Sequence, residues 1–305
     1  MHNMSDGELL LRASRVVKIM PRVVQDVPYC NSRVAFMFLT PGPLPLAPFW
    51  EMFFKGYEGM YSVYVHPHPS YDDFHVPRDS AFYGRRIPSQ PVQWGTMSMV
   101  DAERRLLANA LLEPSNQRFV LVSDSCIPIF NFTTVYNYLT GTNLSFLGSV
   151  DDPRRVGRGR YSRRMSPKIT LGQWRKGYQW FEIHRDLAEK IISDRKYYDL
   201  FVKFCFRRPC IGDEHYLPTV VNILYPEMNS NRSVTWVDWS VVGPHPREFE
   251  RADVNVELLD RIRFGSECVY NGNTTNVCNL FARKFLPSAI VPLLKVAPLI
   301  LGFDP

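Results

Sequence analysis

The sequence predicts one α/β domain in which helices flank a mixed sheet. Residues 34–39, 60–66 and 119–123 are nearly continuous apolar runs, which is typical of strands buried on both faces of a parallel sheet. Segments with helical patterns separate these runs, and this alternation indicates crossover units. No internal repeat or Gly/Ser linker interrupts the 305 residues, so we expect a single domain with two halves.

The first half begins with a β–loop–α–β unit. Its first strand, residues 34–39, ends at a proline-rich turn. A helix is expected over residues 47–55, with Pro48 in the first turn, where a missing N–H costs no helical hydrogen bond. Residues 60–66 form the second strand, which ends at a proline, so the two strands are expected to be connected by a crossover.

The third strand leads to a candidate binding edge. A helix is expected to begin at Ser98, because Asp101 follows at the capping-box spacing. Residues 119–123 then form the third strand, which is followed by Asp124. Ligands of open α/β sheets bind at the carboxyl ends of the strands, so Asp124 is a candidate site residue.

The second half contains more loops. Its expected elements are a strand over 145–147, a basic loop over 151–168, helices over 185–194 and 196–206, a helix opened by Asp213, a strand over 234–239 and a helix over 256–263. At the other end of the chain, residues 1–32 are expected to be an N-terminal tail. Residues 7–17 of this tail have an amphipathic helical pattern but no obvious partner.

The composition favours an anionic partner and the secretory pathway. The formal net charge of +6 suits nucleic acid, phosphorylated donors or anionic polysaccharides. Six cysteines occur together with five Asn-X-Ser/Thr sequons, so local disulfides Cys205–Cys210 and Cys268–Cys278 are expected. Zinc is disfavoured because these intervals are too wide for a C-x₂-C knuckle.

No stretch of the sequence has the continuous hydrophobicity of a membrane span. The apolar C-terminal residues 285–303 include three prolines and a lysine, and the N-terminus lacks the apolar core of a signal peptide. These features conflict with the secretory interpretation. Either the chain is cytosolic, or an N-terminal anchor is absent from it.

The segment 210–219, C-I-G-D-E-H-Y-L-P-T, is the most informative part of the sequence. It places two carboxylates, Asp213 and Glu214, at the predicted start of a helix. There they can cap the helix and interact with its positive end, which is a structural role. Alternatively, Glu214 is a general base that removes a proton from a substrate hydroxyl as that oxygen attacks.

Basic and aromatic side chains supply the other candidate contacts. The charge run in the basic loop has three interpretations: a solvated loop, a site that neutralises a nucleotide diphosphate, or a surface that contacts nucleic acid. Its cations are Arg154, Arg155, Arg158, Arg160, Arg163, Arg164 and Lys168. Arg283 and Lys284 form either a surface pair or two donors for a phosphate. Trp180 and Trp236 are either core residues or surfaces on which a sugar stacks.

No metal-binding motif is evident. His66 and His68 flank a proline without a third ligand nearby, which is more typical of a rigid strand exit. The acidic pairs Asp72-Asp73 and Asp151-Asp152 lack the D-x-D spacing that holds a divalent ion on a nucleotide-sugar. P-loop, G-x-S-x-G and H-E-x-x-H motifs are also missing.

Eight segments, in order, resemble the plant branch of the core-2/I-branching β-1,6-N-acetylglucosaminyltransferases, a family-14-like glycosyltransferase group. They are AFMFLTPGPLPLAPFWEMFFKG (35–56), YSVYVHPHP (61–69), QWGTMSMVDAERRLLANAL (93–111), FVLVSDSCIPI (119–129), WRKGYQWFEI (174–183), CIGDEHYLPT (210–219), TWVDWS (235–240) and LFARKF (280–285). The resemblance implies a GT-A-like fold with a Rossmann-like sheet over residues 33–305. Its donor half covers about 33–150 and its acceptor half about 165–305.

The resemblance also implies an inverting enzyme that uses a UDP-sugar, with GlcNAc or a related sugar, and needs no metal. The family's catalytic base falls on Glu214, and its phosphate-binding lysine falls on Lys284. A second family cation matches Arg263 best and Arg261 next. The other candidate contacts are Arg283, His66 and Asp124 for the donor, and Trp180, Asp213 and Trp236 for the acceptor.

The family's location and partners follow from the same resemblance. It implies a type II Golgi membrane protein with a lumenal domain, whose anchor is not visible in this chain. An arabinogalactan, another wall glycan or a glycoprotein is the expected acceptor, and neither a cofactor nor a nucleic-acid partner is expected. The alternatives are a non-catalytic carbohydrate-binding relative and, less favoured, a nucleic-acid-binding protein that uses the Arg-rich loop.

Overall fold

A computed structural model describes residues 3–19, 32–71, 76–205, 210–241, 243 and 245–303. The strands, in chain order, are β1 (Arg33–Leu39), β2 (Tyr61–His66), β3 (Asn116–Ser123), β4 (Ile127–Pro128), β5 (Glu182–His184), β6 (Thr235–Val237), β7 (Cys268–Tyr270), β8 (Asn273–Thr275) and β9 (Phe281–Arg283). The α-helices are α1 (Asp6–Ile19), α2 (Ala47–Phe54), α3 (Met97–Leu111), α4 (Phe132–Thr140), α5 (Arg185–Ser193), α6 (Lys196–Phe204), α7 (Gly212–Leu224), α8 (Val256–Phe264) and α9 (Ile290–Val296).

A four-stranded sheet with the order β2-β1-β3-β5 organises the molecule. β1 pairs in parallel with both β2 and β3, whereas β5 runs antiparallel to β3. The expected α/β architecture with a mixed sheet is therefore confirmed. The three apolar runs that predicted the sheet are its three parallel strands.

Helices cover both faces of this sheet. Met37 and Leu121 pack with α1, α3, α5 and α7 on one face. Phe36 and Val120, their neighbours in sequence, pack with α2, α4, α8 and α9 on the other. Because successive side chains of a strand point to opposite faces, both alternating sets must be apolar, which explains the continuous runs.

A smaller sheet joins the second core. Its order is β4-β9-β6, with β6 parallel and β4 antiparallel to β9. The Phe281 ring in β9 lies 6.3 Å from the ring of Phe36 in β1 and 6.1 Å from that of Trp50 in α2. The end of β9 is therefore held against the same aromatic core as the main sheet.

Two disulfides connect segments near the sheet. Cys268–Cys278 closes the β7–β8 hairpin, and Cys205–Cys210 joins the end of α6 to the start of α7. Both pairings agree with the local disulfides expected from the sequence.

Three local features differ from expectation. The helix predicted without a partner, α1, packs on α3 and α5 and buries Leu9 and Ala13. The expected capping box at the start of α3 is wrong, because Thr96 is the N-cap and the Ser98 hydroxyl accepts a hydrogen bond from the backbone N–H of Gln93 (2.8 Å). In place of the strand expected over 145–147, Ser145 and Phe146 form isolated β-bridges.

A buried ion pair connects β3 to β5. Arg118 Nη2 lies 2.5 Å from Glu182 Oε2, and the two side chains are 1% and 0% exposed. Arg118 also donates hydrogen bonds to the carbonyls of Thr142 and Leu144. Removing one member of such a pair leaves an uncompensated charge in the interior, which is strongly destabilising.

We therefore expect Glu182→Ala to lower the free energy of unfolding by about 3–5 kcal/mol in a urea titration. Glu189→Ala is the control, because its pair with Arg185 is partly exposed and should contribute less than about 1 kcal/mol. Equal losses in the two variants would contradict a special role for the buried pair.

Candidate active site

Residues 174–184, which we call the bridging segment, run from α7 to the central sheet. Near its start, the backbone N–H of Gly177 donates to the carbonyl of Glu214 (2.9 Å). Near its end, the carbonyl of Phe181 accepts from the N–H of Leu121 in β3 (3.0 Å). The segment thus fixes the first turn of α7 relative to the sheet.

Gly177 allows this segment to lie directly on α7. A Cβ atom at this position would come within 2.1 Å of the Gly148 carbonyl oxygen and 2.7 Å of Pro218 Cγ. These distances are far shorter than a van der Waals contact, so no other residue fits without moving the backbone. The close approach brings the neighbouring Lys176 to the side chain of Glu214.

Glu214 presents a partly exposed carboxylate in the first turn of α7. Its side chain is 22% exposed, and Oε2 accepts a hydrogen bond from Arg160 and lies 3.1 Å from Lys176 Nζ. Across the described residues, no hydrogen bond reaches Oε1. One oxygen is therefore held by two cations, while the other has no hydrogen-bond partner among the described residues.

The start of α7 has an unusual backbone conformation. Ile211 is the N-cap and has a φ of 52°. A β-branched residue in this left-handed region costs about 1–3 kcal/mol and persists only when its surroundings hold it there. The adjacent Cys205–Cys210 disulfide and the hydrogen bond from Glu214 N–H to the Ile211 carbonyl (3.2 Å) supply such restraint.

Two buried carboxyl groups lie behind Glu214. Asp213 is 5% exposed, and burial together with the negative charge of Glu214 raises its pKa to about 7. Glu103 in α3 accepts a hydrogen bond from Gln179 Nε2 (2.9 Å), and burial, with the charge of Asp213, raises the pKa of Glu103 well above its ordinary value. Asp213, predicted as an acceptor contact, is therefore placed in the interior and is not exposed beside Glu214.

A cation–aromatic cluster forms at the ends of β3 and β9. The Arg283 guanidinium lies 4.3 Å from the centroid of the Trp180 ring. Asp124 follows β3; burial raises its pKa, and the positive charges of Arg283 and Lys284 oppose that rise. The sequence-predicted donor contacts Asp124, Arg283 and Lys284 are thus brought together, with Trp180 against them.

Two further residues complete the surroundings of this cluster. Lys284 Nζ lies 2.7 Å from Glu248 Oε1, in a pair that is 29% and 44% exposed. Trp236 in β6 is in register with Ala282 of β9, and its ring lies 5.8 Å from that of Phe249. Trp236 is therefore half-buried on the strand next to Arg283.

The bridging segment limits the distance between the cation–aromatic cluster and Glu214. Lys176 contacts Glu214, and Trp180, four residues later, contacts Arg283. Four residues of extended chain span at most about 14 Å, so these two Cα atoms lie within that distance. A carboxylate and a cation–aromatic cluster are thereby both attached to one short piece of backbone.

His66 is not brought into the cluster. It is fully buried at the end of β2, where Nε2 lies 3.0 Å from Arg105 Nη1. Arg105 in turn pairs with Asp6 of α1 (2.6 Å). Burial and the charge of Arg105 lower the pKa of His66 to about 4. His66 therefore belongs to the contact between the sheet and α1, and its role as a donor contact stays a prediction.

Arg263 is also placed elsewhere. Its Nη1 donates to the carbonyl of Ile300 (3.0 Å), and its guanidinium lies 4.6 Å from the Phe130 ring and 3.6 Å from an Asp260 carboxylate oxygen. These contacts attach α8 to the C-terminal residues. No contact among the described residues joins Arg263 to Lys284 or Glu214, so its role as the family's second donor cation stays a prediction.

Sequence reasoning missed three residues at Glu214. Arg160 is one of seven cations in the basic loop. Lys176 and Tyr178 lie in the segment 174–183, in which Trp180 was the predicted contact. Tyr178 is 42% exposed, with its ring centroid 5.8 Å from Lys176 Nζ. These three residues come together near Glu214 through tertiary contacts, which the sequence does not show. The one sequence feature that could have indicated Lys176 and Tyr178 is the Lys-Gly-Tyr run between Trp174 and Trp180.

The acidic groups considered for metal binding are otherwise engaged or not described. Asp151 pairs with Arg158 and Asp152 with Arg154, while Asp72-Asp73 lies outside the described residues. Within the described ranges, no cluster of three or more His, Cys, Asp or Glu side chains could hold a metal ion. In the same part of the chain, no helix has both the length and the hydrophobicity needed to cross a bilayer.

Comparison with known proteins gives two matches. Residues 34–263 match the family described as Core-2/I-Branching enzyme. The chain is also 36% identical over 316 residues to the rice protein Glycosyltransferase BC10 (Oryza sativa subsp. japonica), an alignment that covers 89% of this chain and 78% of the relative. The family match spans β1 to α8 and so contains Asp124, the bridging segment and Glu214.

We expect Asp213 to make the folded protein less stable as pH rises from about 4 to 7, and Asp213→Asn to remove that contribution. The pKa of Asp213 is about 7 when folded, against an ordinary 3.8, so in this window the folded protein keeps a proton that the unfolded chain releases. The free energy of unfolding therefore falls as pH rises, by about 1.4 kcal/mol per pKa unit.

Urea unfolding of both proteins at about pH 4 and pH 7.5 measures the difference, which should amount to a few kcal/mol. The same pH dependence in the variant and the original protein would contradict this assignment.

Proposed function

Because the chain belongs to the Core-2/I-Branching enzyme family and is a glycosyltransferase, we propose that it moves a sugar from a UDP-sugar to a hydroxyl of a glycan acceptor, with inversion. Glu214 is the general base, and Arg283 and Lys284 bind the donor diphosphate without a metal ion. The observation that supports this best is the fixed spacing of a partly exposed carboxylate and a cation cluster along the bridging segment.

The proposed reaction is a single displacement. The acceptor oxygen bonds to C1 of the sugar while the bond from C1 to the diphosphate oxygen breaks, and that electron pair leaves with UDP. The proton of the acceptor hydroxyl passes to Glu214 Oε1, a transfer worth about 10²–10⁴ in rate. Arg160 and Lys176 hold Oε2 and so keep the carboxylate oriented during this step.

Charge that develops on the leaving diphosphate requires preorganised donors. Arg283 supplies a guanidinium, whose orientation the Trp180 ring beneath it supports through a cation–π contact. Lys284 becomes available when its ion pair with Glu248 opens, and a partly exposed pair of this kind contributes little stability. Asp124, beside these cations, is positioned to accept hydrogen bonds from hydroxyls of the donor.

The acceptor lies on the other side of Glu214 in this proposal. The exposed Tyr178 ring next to Lys176 offers an apolar face to a sugar ring. The half-buried Trp236, in β6 beside β9, is a second candidate for contact with the acceptor. Trp180 is only 7% exposed, so its contribution is to orient Arg283 and not to stack on an acceptor.

We further propose GlcNAc or a related sugar as the transferred group, and a wall glycan such as arabinogalactan, or a glycoprotein, as the acceptor. The Golgi lumen is the proposed location, since the two disulfides are typical of an oxidising compartment. A screen of UDP-sugars that measures UDP release would identify the donor.

Glu214→Gln tests the base. The amide cannot accept the proton, so kcat should fall by about 10²–10⁴, while the dissociation constant for UDP remains unchanged. UDP release and calorimetric titration measure the two quantities, and Glu227→Gln, an exposed position just after α7, should alter neither. Full turnover by Glu214→Gln would contradict the mechanism.

Lys284→Ala tests the diphosphate site. Loss of one charged hydrogen bond should weaken UDP binding at least tenfold, since such bonds contribute about 1.5–3 kcal/mol. The titration is done in EDTA, so that the affinity reports on the protein's own cations, with the exposed Lys295→Ala as control. Unchanged affinity in Lys284→Ala would remove this residue from the site, and loss of all UDP binding in EDTA would contradict metal independence.

A further inference from the structure

Residues 154–168 of the basic loop form a fixed surface beside Glu214. Met165 in the loop and Ile169 just after it are buried, and the Tyr161 hydroxyl donates to the carbonyl of Ile169 (2.6 Å). Trp174 Nε1 donates to the carbonyl of Gly157 (3.2 Å). These contacts attach the loop to the bridging segment, so its charges have defined positions.

This loop carries more positive charge than its neighbours neutralise. Residues 154–168 contain seven Arg or Lys residues and no Asp or Glu. Three of the seven pair with carboxylates, namely Arg154 with Asp152, Arg158 with Asp151 and Arg160 with Glu214. The other four are exposed and form no ion pair with any residue that the structure describes; they are Arg155, Arg163, Arg164 and Lys168.

Two of the unpaired cations, Arg163 and Arg164, lie close to the proposed base. Arg160 contacts Glu214 directly, and Arg163 and Arg164 follow it by three and four residues. Their Cα atoms are therefore within about 11 and 14 Å of that of Arg160. Since the diphosphate cluster lies at the other end of the bridging segment, these charges border the acceptor side of Glu214.

We propose that the acceptor is an acidic glycan whose carboxylates bind Arg163, Arg164 and Lys168. This inference rests on the proposed transferase function and specifies its substrate class. A guanidinium presents a planar fork of donors that matches a carboxylate, and uronic acid residues carry such carboxylates at intervals along a glycan. The loop then selects acidic chains and directs a neighbouring hydroxyl towards Glu214.

Nucleic acid fits this surface less well. Single strands bind through cations combined with aromatic rings on which bases stack. Tyr161 is the loop's sole aromatic residue, and its ring packs on Trp174 while its hydroxyl bonds to Ile169. The loop therefore offers positive charge but no aromatic surface for a base. A carboxylate needs only the charge.

The test compares the original protein with the variant Arg163→Gln/Arg164→Gln/Lys168→Gln. The probe is a fluorescein-labelled oligogalacturonate, with the same oligosaccharide after carboxyl reduction as its neutral form, and binding is followed by fluorescence anisotropy. The variant should bind the acidic probe about tenfold more weakly, because each exposed charge contributes modestly. Its UDP affinity and thermal midpoint should be unchanged, since these side chains lie on the surface.

Arg12→Gln/Arg15→Gln/Arg78→Gln is the matched control, because it removes three exposed arginines outside the loop. It should retain full affinity for the acidic probe. Equal binding of the acidic and neutral probes, an equal loss in the control, or tighter binding of an RNA oligonucleotide of the same charge would overturn the proposal.

Turnover separates this inference from the function on which it rests. UDP release is measured with an acidic wall glycan and with its carboxyl-reduced form as acceptors. A preference for the acidic form that the loop variant loses supports the inference. Equal rates with both forms contradict the inference alone, whereas absence of turnover with every UDP-sugar, together with intact binding of the acidic probe, contradicts the transferase function alone.

Discussion

The bridging segment is the constraint on which the candidate site depends. Its backbone is hydrogen-bonded to Glu214 in α7 and to β3 through the Phe181 carbonyl, and Gln179 reaches Glu103 in α3 between those points. Gly177 leaves no space for a Cβ atom, so the segment has little freedom to shift. Lys176 and Trp180 consequently keep a fixed separation, and each fixes one half of the proposed chemistry, the base and the diphosphate cations.

Positive charges outweigh negative charges around Glu214. Arg160 and Lys176 engage one carboxylate oxygen, while the carboxyl groups behind it, Asp213 and Glu103, have raised pKa values because they are buried. Near pH 7 Glu103 keeps its proton and Asp213 is about half protonated, so the two groups add less negative charge than two ionised carboxylates would. The surface beside Glu214 is thus dominated by cations, and this continues into the basic loop, which makes an acidic acceptor a consequence of the same electrostatics.

The sequence predicted the sheet and helices well because local hydrophobic patterns determine them. The three parallel strands contain nearly continuous apolar runs because both faces of the sheet are covered. Asp124, Arg283 and Lys284 come together where β3 of the central sheet and β9 of the smaller sheet end near each other, and the backbone N–H of Phe285 donates there to the carbonyl of Ser125 (2.9 Å). Contacts between distant segments were not predictable in this way. Arg160 is 54 residues from Glu214. His66 contacts Arg105, which pairs with Asp6 of α1, the helix without an evident partner in the sequence. Arg263, the best match to the family's second cation, packs on Phe130.

The most direct test of the central claim is a structure of the protein with UDP, determined in the presence of EDTA. We expect the two phosphates to lie against Arg283 and Lys284 next to Trp180, and Glu214 Oε1 to face the space beyond the β-phosphate where a sugar would be attached. A nucleotide bound elsewhere, or a Glu214 carboxylate directed away from that space, would contradict this expectation.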